Sequence, residues 1–158
     1  METETATPWL TDAEQCAWRT FLDVNRMLTY QLERDLQPFG LTMNDYEILV
    51  NLSESAERRL RMSDLAAATL QSKSRLSHQI TRMENAGLVR RENCESDRRG
   101  LYAVLTDAGM ATMQKVAPHH VESVRKHFID QIGPDALGDL RESLKPVADQ
   151  LRGRRGKP

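Results

Sequence analysis

Residues 62–105 read MSDLAAATLQSKSRLSHQITRMENAGLVRRENCESDRRGLYAVL, and this stretch holds the most informative pattern of the chain. Its spacing of apolar residues predicts a short helix, a turn, and a second helix rich in Ser, Lys, Arg, His and Gln. A β-hairpin with arginines near its tip follows, and we place its loop at 93–100. A polar helix suits the major groove of a DNA duplex, and an arginine-tipped hairpin suits the minor groove or the backbone. The stretch therefore predicts a winged helix-turn-helix that binds DNA.

The charge of the chain is small in total but unevenly distributed. The formal net charge is −1, yet residues 1–57 carry 11 Asp/Glu against 3 Lys/Arg, whereas residues 58–100 carry 10 Lys/Arg against 5 Asp/Glu. A local basic face beside an acidic body is typical of a protein that contacts phosphates at one surface. An ordinary solvated surface is the alternative interpretation of this basic cluster.

Length and composition favour a single soluble domain in a reducing compartment. At 158 residues the chain can bury one sizeable core. No apolar run approaches the roughly 18 residues of a membrane span, and the acidic N-terminus METETATPWLTDAEQ is unlike a signal peptide. Cys16 and Cys94 lie far apart in the sequence, without a CxxC motif. We therefore expect a cytoplasmic protein with no membrane partner.

Helix start signals divide the chain into parts. Thr11 begins a capping box, Ser63 and Ser72 are good N-caps for the two helices of the helix-turn-helix, Thr106 caps a long helix, and Pro134 opens the last one. The expected fold class is mainly α with a small β-wing, in which terminal dimerisation helices flank the winged helix-turn-helix domain. The expected parts are a disordered N-terminus (1–10), an N-terminal dimerisation helix (11–39), the winged helix-turn-helix DNA-binding region (40–105), C-terminal dimerisation helices (106–152) and a basic tail (153–158).

Apolar residues recur at helical spacing in both terminal regions. The first helix carries Trp18, Phe21 and Leu28, and the last carries Leu137 and Leu144 at such positions. A chain of this size has no obvious further element that could cover all of these apolar residues. Few soluble monomers expose large apolar patches. We therefore expect a homodimer that is formed by the terminal helices. Packing of these helices within a single chain is the alternative.

Three stretches carry a resemblance to a known family: GLTMNDYEILVNLSE at 40–54, MSDLAAATLQSKSRLSHQITRMENAGLVRR at 62–91 and SDRRGLYAVLTDAG at 96–109. The last contains an Asp-x-Arg-Gly wing signature at 97–100, followed by the Leu-Thr that opens the long helix. With these motifs in this order, the chain resembles MarR-type (multiple antibiotic resistance regulator) transcription factors over nearly its whole length. The resemblance implies a repressor, and a homodimer that binds a pseudo-palindromic operator with its two polar helices in successive major grooves.

The resemblance also implies which residues contact DNA. In the wing, Arg99 matches the arginine expected in the minor groove, and Asp97 is expected to position it by a salt bridge. Arg98, Arg90 and Arg91 are expected to meet phosphates, although Arg90 and Arg91 are alternatively ordinary exposed strand charges. In the polar helix the candidates are Lys73, Arg75, His78, Gln79 and Arg82, with Ser72, Ser74 and Ser77 as further hydrogen-bonding groups for phosphates or base edges.

The turn between the two helices departs from the usual pattern. Many helix-turn-helix units carry Gly four residues after a small Ala, but here Ala66 is followed at that spacing by Leu70. Gln71, which comes next, is polar where an apolar residue is common. Leu70 and Gln71 therefore depart from the usual turn sequence, whereas the residues of the wing match the family signature.

Two inputs that could control DNA binding follow from the resemblance. Members of the family often bind small anionic aromatic ligands between the dimerisation helices and the DNA-binding lobe. Trp18, Tyr46 and Met113 are candidates to line such a cleft, with Arg19 as the anion partner; the alternative is that the apolar residues are plain core. A redox-sensing thiol at Cys16 is the rival input, and a half-buried cysteine without a role is its alternative.

Other classes of function lack their motifs. The sequence contains no GxSxG, HExxH or phosphate-cradling glycine loop, so we expect that the chain is not an enzyme. His120 and His127 are seven residues apart and His119 points elsewhere, so we expect no metal site and no cofactor. A winged helix that only docks other proteins is the remaining alternative, but it leaves the polar helix and Arg99 unexplained.

Overall fold

The computed structural model describes residues 7–94 and 97–153, except for the side chains of residues 97–99. Over this part the chain is mainly helical with one small sheet, which agrees with the expected fold class. The helices are α1 (Asp12–Leu36), α2 (Met43–Glu54), α3 (Met62–Ala68), α4 (Lys73–Asn85), α5 (Asp107–Val124), α6 (Asp130–Ile132) and α7 (Pro134–Gly153), with a π-helical turn at Arg125–Ile129. The strands are β1 (Arg59–Arg61), β2 (Val89–Cys94) and β3 (Asp97–Leu105).

The expected loose ends of the chain fall largely outside the described residues. Of the N-terminus predicted to be disordered, residues 7–10 are described and have no regular secondary structure. Of the predicted basic tail, only Gly153 is described, as the last residue of α7. The remaining residues of both segments lie outside the described part.

The sheet is antiparallel, with β3 in the middle between β1 and β2. Arg61 pairs with Tyr102, and Arg91 pairs with Ala103. The prediction of a loop over 93–100 is wrong, because β2 continues to Cys94 and β3 already begins at Asp97. The register of this ladder shifts between Asn93, which pairs with Leu101, and Cys94, which pairs with Asp97.

The core lies where α2, α3 and α4 pack on one another and on the sheet. Its members form one cluster, which Val116 of α5 also joins. Burial of each leucine-sized side chain contributes about 1.5–3 kcal/mol to stability. We call residues 41–105, which contain most of this core, the central lobe. Its fully buried side chains include Ile48, Leu49, Leu52, Leu65, Leu76, Ile80, Met83 and Val89.

Most of the predicted helix starts are confirmed. The hydroxyls of Thr11, Ser72 and Thr106 each accept the backbone N–H of the third residue that follows, at 3.3, 3.3 and 3.0 Å. The prediction for Ser63 is wrong, because α3 already begins at Met62. Strand β1 runs directly into this helix, so no residue is left between them to act as a side-chain cap.

The end of α4, the end of β3 and the start of α5 meet at one joint. The Thr106 hydroxyl donates to the carbonyl of Gly87 at 2.6 Å and lies 3.0 Å from that of Leu88. Gly87 has a φ of 75°, which is the left-handed geometry that ends α4. At Gly109 a side chain has no room, because its Cβ would lie 2.0 Å from the carbonyl oxygen of Leu88.

The terminal helices leave many of their apolar residues exposed. On α1, Trp18 and Met27 are 52% and 59% exposed, and on α7, Val147 and Leu151 are 52% and 60% exposed. None of the described residues of α7 is buried. No described helix is both long enough and apolar enough to pass through a membrane.

Candidate nucleic-acid interface

Helix α4 presents polar residues to solvent because its apolar residues face the core. Leu76, Ile80 and Met83 are buried and recur at helical spacing. The first turns of α4 therefore offer hydroxyls and cations on an exposed surface. The predicted contact residues that are exposed here are Ser72, Lys73, Ser74, Arg75, Ser77 and His78.

Gln79 and Arg82, which were also predicted to contact DNA, bond to a buried carboxylate. Gln79 Nε2 donates to Asp45 Oδ1 at 3.1 Å, and Arg82 Nη2 donates to the same oxygen at 2.5 Å. The backbone N–H of Thr42 donates to the other oxygen at 2.9 Å. Burial alone would raise the pKa of Asp45, but the hydrogen bonds from Arg82, Thr42 and Gln79 hold it below the usual aspartate range. Asp45 therefore remains ionised and fastens α4 to α2, while the Arg82 side chain stays 54% exposed.

Sequence reasoning missed Asp45, although a signal was present. Asp45 stands three residues after Thr42, the spacing of a capping box, and it lies on the same helix face as the apolar Ile48, Leu49 and Leu52. A carboxylate on the buried side of a helix needs a partner, and a cation on a neighbouring helix is the usual one. The sequence does not identify that cation, because Arg82 lies 37 residues away.

The two strand arginines lie in different surroundings. Arg91 Nη1 donates to Glu84 at 2.7 Å, Arg91 Nη2 donates to the carbonyl of Ser77 at 2.8 Å, and the Arg91 side chain is only 21% exposed. Arg90 forms an ion pair with Glu92 of the same strand, and its side chain is 53% exposed. Arg90 thus has the solvent access that a phosphate contact needs, whereas Arg91 is engaged within the central lobe.

The wing signature lies at the start of β3. Backbone pairing of Asp97 with Cys94 places Asp97 at the tip end of the hairpin, followed by Arg98 and Arg99. The side chains of these three residues lie outside the described part of the structure. The predicted roles of Arg99 in the minor groove and of Asp97 and Arg98 beside it therefore stay predictions.

A cavity of about 380 Å³ lies between the start of α4 and the wing. Its lining includes the cations Arg61, Lys73 and Arg91 and the hydroxyls of Ser63 and Ser77. Three predicted contact residues, Lys73, Ser77 and Arg91, are therefore brought to one place. Cationic and hydroxyl groups around one cavity favour an anion such as a phosphate.

The unusual turn of the helix-turn-helix holds one residue, Leu70, in a strained backbone conformation. Leu70 has a φ of 57°, and its side chain is 66% exposed. Its N–H donates to Ala67 at 3.4 Å and that of Gln71 donates to Ala66 at 3.0 Å, a pattern that ends helices at a left-handed residue. For a residue other than glycine this geometry costs about 1–2 kcal/mol. Within the described residues, the buried side-chain amide of Gln71 has no hydrogen-bond partner for its Nε2 or its Oε1.

The four residues predicted to line an effector cleft lie in different surroundings. Trp18 and Arg19 are exposed on α1, whereas Tyr46 is buried and its ring centroid lies 4.3 Å from that of His120. Met113 is half-buried against the core. Burial raises the pKa of Tyr46 and lowers the pKa of His120, so both rings are favoured in their neutral forms. The surroundings of Tyr46 and Met113 are those of core residues, which was the alternative interpretation.

The cysteines also differ in exposure. Cys16 is exposed, so the half-buried placement considered for it is wrong. Cys94 is buried at the end of β2, where Arg61 Nη2 lies 3.3 Å from its sulfur and the Tyr102 hydroxyl lies 3.8 Å from it. Among the described residues, no three or more His, Cys, Asp or Glu side chains are grouped so that they could hold a metal ion.

Comparison with known proteins agrees with this arrangement. A sequence profile described as the MarR family matches residues 39–100. The chain is 30% identical over 136 residues to the HTH-type transcriptional regulator PecS of Dickeya dadantii (strain 3937), a match that covers 85% of this chain and 76% of PecS.

Two solved structures from Streptomyces coelicolor share the fold. AbsC, a MarR family transcriptional regulator, superposes with a TM-score of 0.90 at 76% identity, covering 93% of this chain and 99% of AbsC. Sco3205, a MarR family transcriptional regulator solved in complex with DNA, gives a TM-score of 0.88 at 42% identity, covering 91% of each chain.

These relatives confirm the predicted family, and the helical fold with its three-stranded sheet matches theirs. They are transcriptional regulators, so the expectation that the chain is not an enzyme is also confirmed. With an exposed polar helix beside a wing, and with likeness to these proteins over most of its length, the chain belongs to the MarR family of winged-helix, DNA-binding transcriptional regulators.

Proposed function

We propose that this regulator is a repressor that binds a pseudo-palindromic operator as a homodimer, with α4 in the major groove and the wing at the minor groove. The observation that carries the proposal is α4, whose apolar face lies in the core while its first turns expose hydroxyls and cations. Exposed polar side chains on a helix suit base edges, and the exposed Lys73 beside the neighbouring cavity suits a phosphate. The cytoplasm, where such a regulator meets DNA, is its proposed compartment.

In this proposal the wing supplies contacts outside the major groove. Arg99 enters the minor groove, Asp97 holds it in place, and Arg98 and Arg90 meet phosphates. The start of β3 at Asp97 supports the placement of this signature at the tip end of the hairpin. The exposure of the Arg90 side chain supports its contact with the backbone of the duplex.

The homodimer would cover the apolar surface of the terminal helices. Closed two-fold dimers bury the same patch of both copies, and exposed apolar side chains on α1 and α7 offer such a patch. A two-fold dimer presents its two α4 helices to half-sites about 34 Å apart, one turn of the duplex. The exposed apolar residues that support this interface are Trp18, Phe21, Leu22, Met27, Leu144, Val147 and Leu151.

Two signals that would release the regulator from DNA, a small ligand and oxidation of a thiol, stay predictions. A small aromatic anion would act by binding one spacing of the two α4 helices more tightly than another, which shifts their populations. Trp18 and Arg19 are exposed, but the core positions of Tyr46 and Met113 do not support a common site. Oxidation of Cys16 is the alternative input, and its exposure gives an oxidant access to the thiol.

The test begins by selecting the operator from a random pool of DNA duplexes, because this needs no knowledge of the genomic site. The enriched duplex is then titrated with the purified protein by fluorescence anisotropy at several salt concentrations. We expect two inverted half-sites with centres about 10 base pairs apart and an affinity that falls steeply with salt. An unenriched pool with weak, unselective binding would contradict the proposal and favour a protein-docking module.

Two variants test the wing in the same titration. Arg99→Ala is expected to weaken binding about ten-fold or more, because a minor-groove contact and its charge are lost. Lys115→Ala is the matched control, since it removes one positive charge from the exposed surface of α5. The control is expected to bind within about two-fold of the wild type, a difference typical of charges that touch no phosphate. Equal affinity of both variants would show that Arg99 does not contact the duplex.

A further inference from the structure

We infer that Arg91 is a positioning residue for DNA binding, which fastens the wing to α4 through Glu84 and so fixes the angle between the two elements that contact the duplex. The inference rests on the proposed function, and it gives Arg91 an indirect role in place of the phosphate contact expected from the sequence. The hydrogen bonds of Arg91 within the central lobe carry it.

Glu84 receives one hydrogen bond from the main chain of Arg91 and one from its side chain. The Arg91 N–H donates to Glu84 Oε1 at 2.9 Å, and Arg91 Nη1 donates to Glu84 Oε2 at 2.7 Å. Because one donor is a backbone group, the carboxylate holds strand β2 itself and not only the guanidinium. The same bonds lower the pKa of Glu84, so the carboxylate is ionised at neutral pH and both bonds are charge-assisted.

The other end of the guanidinium lies along α4. Arg91 Nη2 donates to the carbonyl of Ser77 at 2.8 Å, to the hydroxyl of Thr81 at 3.0 Å and to the hydroxyl of Ser77 at 3.3 Å. Ser77, Thr81 and Glu84 are four and three residues apart, so they share one face of the helix. One planar side chain therefore spans about two turns of α4 and joins them to the first part of the wing.

A second contact fixes α4 from the side of α2. Asp45 accepts hydrogen bonds from Gln79 and Arg82, which alternate along α4 with the residues that Arg91 engages. Helix α4 is thus attached to α2 through one carboxylate and to the wing through another. Removal of the Arg91 attachment leaves α4 and Val89 in the core, but the part of the hairpin beyond Arg91 loses its connection to α4.

The two possible roles of Arg91 predict opposite effects of changing Glu84. If Arg91 contacted a phosphate, Glu84 would compete with the DNA for it. Glu84→Ala would then free a cation and remove a negative charge near the duplex, so DNA affinity would rise. If Arg91 positions the wing, Glu84→Ala removes its anchor, and DNA affinity falls although an acidic residue has been removed.

The experiment titrates the enriched duplex with the wild-type protein and with variants of both residues. We expect Glu84→Ala and Arg91→Ala each to weaken binding about ten-fold, and the double variant to bind no worse than Arg91→Ala alone, because both changes break one connection. Glu84→Gln keeps an oxygen that can accept one of the two bonds, so its affinity is expected between those of the wild type and Glu84→Ala. The salt dependence of Glu84→Ala is expected to match that of the wild type.

Glu92→Ala is the matched control. It removes a carboxylate from the same strand, but one that pairs with Arg90 and Arg59 rather than with Arg91. We expect this variant to bind as tightly as the wild type or more tightly. Thermal unfolding of every variant is recorded, and binding is measured at a temperature at which each is fully folded.

Two outcomes would overturn the inference: Glu84→Ala binds as tightly as the wild type or more tightly, whatever its melting temperature, or the effects of Glu84→Ala and Arg91→Ala add in the double variant. Failure of the wild type to enrich a duplex would instead contradict the proposed function, so the two failures are distinguishable.

Discussion

The central lobe and the terminal helices of this regulator are stabilised in different ways. In the central lobe, side chains such as Leu49 and Ile80 are fully buried, and the ionised Asp45 is buried and accepts hydrogen bonds from its neighbours. On α1 and α7, apolar side chains such as Trp18 and Val147 remain about half exposed. The central lobe is therefore complete within one chain, whereas the terminal helices present a surface that a second chain is proposed to cover.

The difference separates two kinds of stability. Contacts within the central lobe act at any protein concentration, because they form within one molecule. Contacts across a dimer depend on concentration, since dissociation separates two molecules. Substitutions in the two regions should therefore differ in the size of their effect and in its dependence on concentration.

The largest effect is expected from Leu49→Ala. Leu49 is 0% exposed, so its truncation leaves a cavity and should lower the free energy of unfolding by about 3–5 kcal/mol. Urea denaturation at several protein concentrations measures the loss, which should be the same at each. Leu151→Ala, in the exposed part of α7, is the control, with a loss below about 1 kcal/mol in the dissociated protein. Equal losses at the two positions would contradict the assignment of the core to the central lobe.

The next effect is expected from Leu144→Asp, which places a charge in the proposed dimer interface. An unpaired buried charge is strongly disfavoured, so the dimer should dissociate at concentrations about 100-fold higher than the wild type. Sedimentation equilibrium measures this change directly. Ser143→Asp adds the same charge to the neighbouring exposed position and should leave the dimer nearly intact. An unchanged dimer in Leu144→Asp would show that α7 lies outside the interface.

A smaller effect with a defined pH dependence is expected from Asp45→Asn. At neutral pH the loss of the charged acceptor should cost about 1–3 kcal/mol of stability. The native pKa of Asp45 is lowered, so its contribution is complete above the usual aspartate range and is lost as the pH falls through the native value. Thermal unfolding of the wild type and the variant should therefore converge in acid. A difference that grows as the pH falls would contradict this role.

The smallest effect is expected from Leu70→Gly, and it should be stabilising. Glycine relieves the left-handed strain at this exposed turn, but it also gains freedom in the unfolded chain, so the net gain should be about 0.5–1 kcal/mol. Gly87→Leu is the matched reverse change, because Gly87 has a φ of 75° at the end of the next helix and open space around its Cβ. Gly87→Leu should lower the free energy of unfolding by about 1 kcal/mol. Chemical denaturation measures both, and a loss in Leu70→Gly would show that the Leu70 side chain contributes more than its strain costs.

The sequence was sufficient for features that depend on neighbouring residues. Ser72 and Thr106 cap their helices through N–H groups only three residues away, so their chemistry is visible in the sequence. The apolar spacing of Leu76, Ile80 and Met83 likewise indicates which face of α4 is buried. The order of such elements also indicated the family and the fold class.

The sequence was not sufficient where the structure joins different elements. Arg91 and Glu84 are seven residues apart, but α4 ends between them, so helical spacing does not predict their contact. The bond between Arg82 and Asp45 was not predicted, because a position on a polar helix does not reveal a buried carboxylate 37 residues away. The wing strands extend further than expected because backbone pairing continues through the polar residues of 93–100, whose side chains gave no strand pattern.

The contact at Gly109 has a mechanical consequence. Because the start of α5 touches the chain just beyond α4 with no room for a methyl group, α5 and α4 cannot tilt independently there. Helix α4 is about 20 Å long, so each degree that this joint turns moves the far end of the helix by about 0.3 Å. A small turn of α5 that is transmitted at this joint therefore displaces the surface of α4 that we propose contacts DNA.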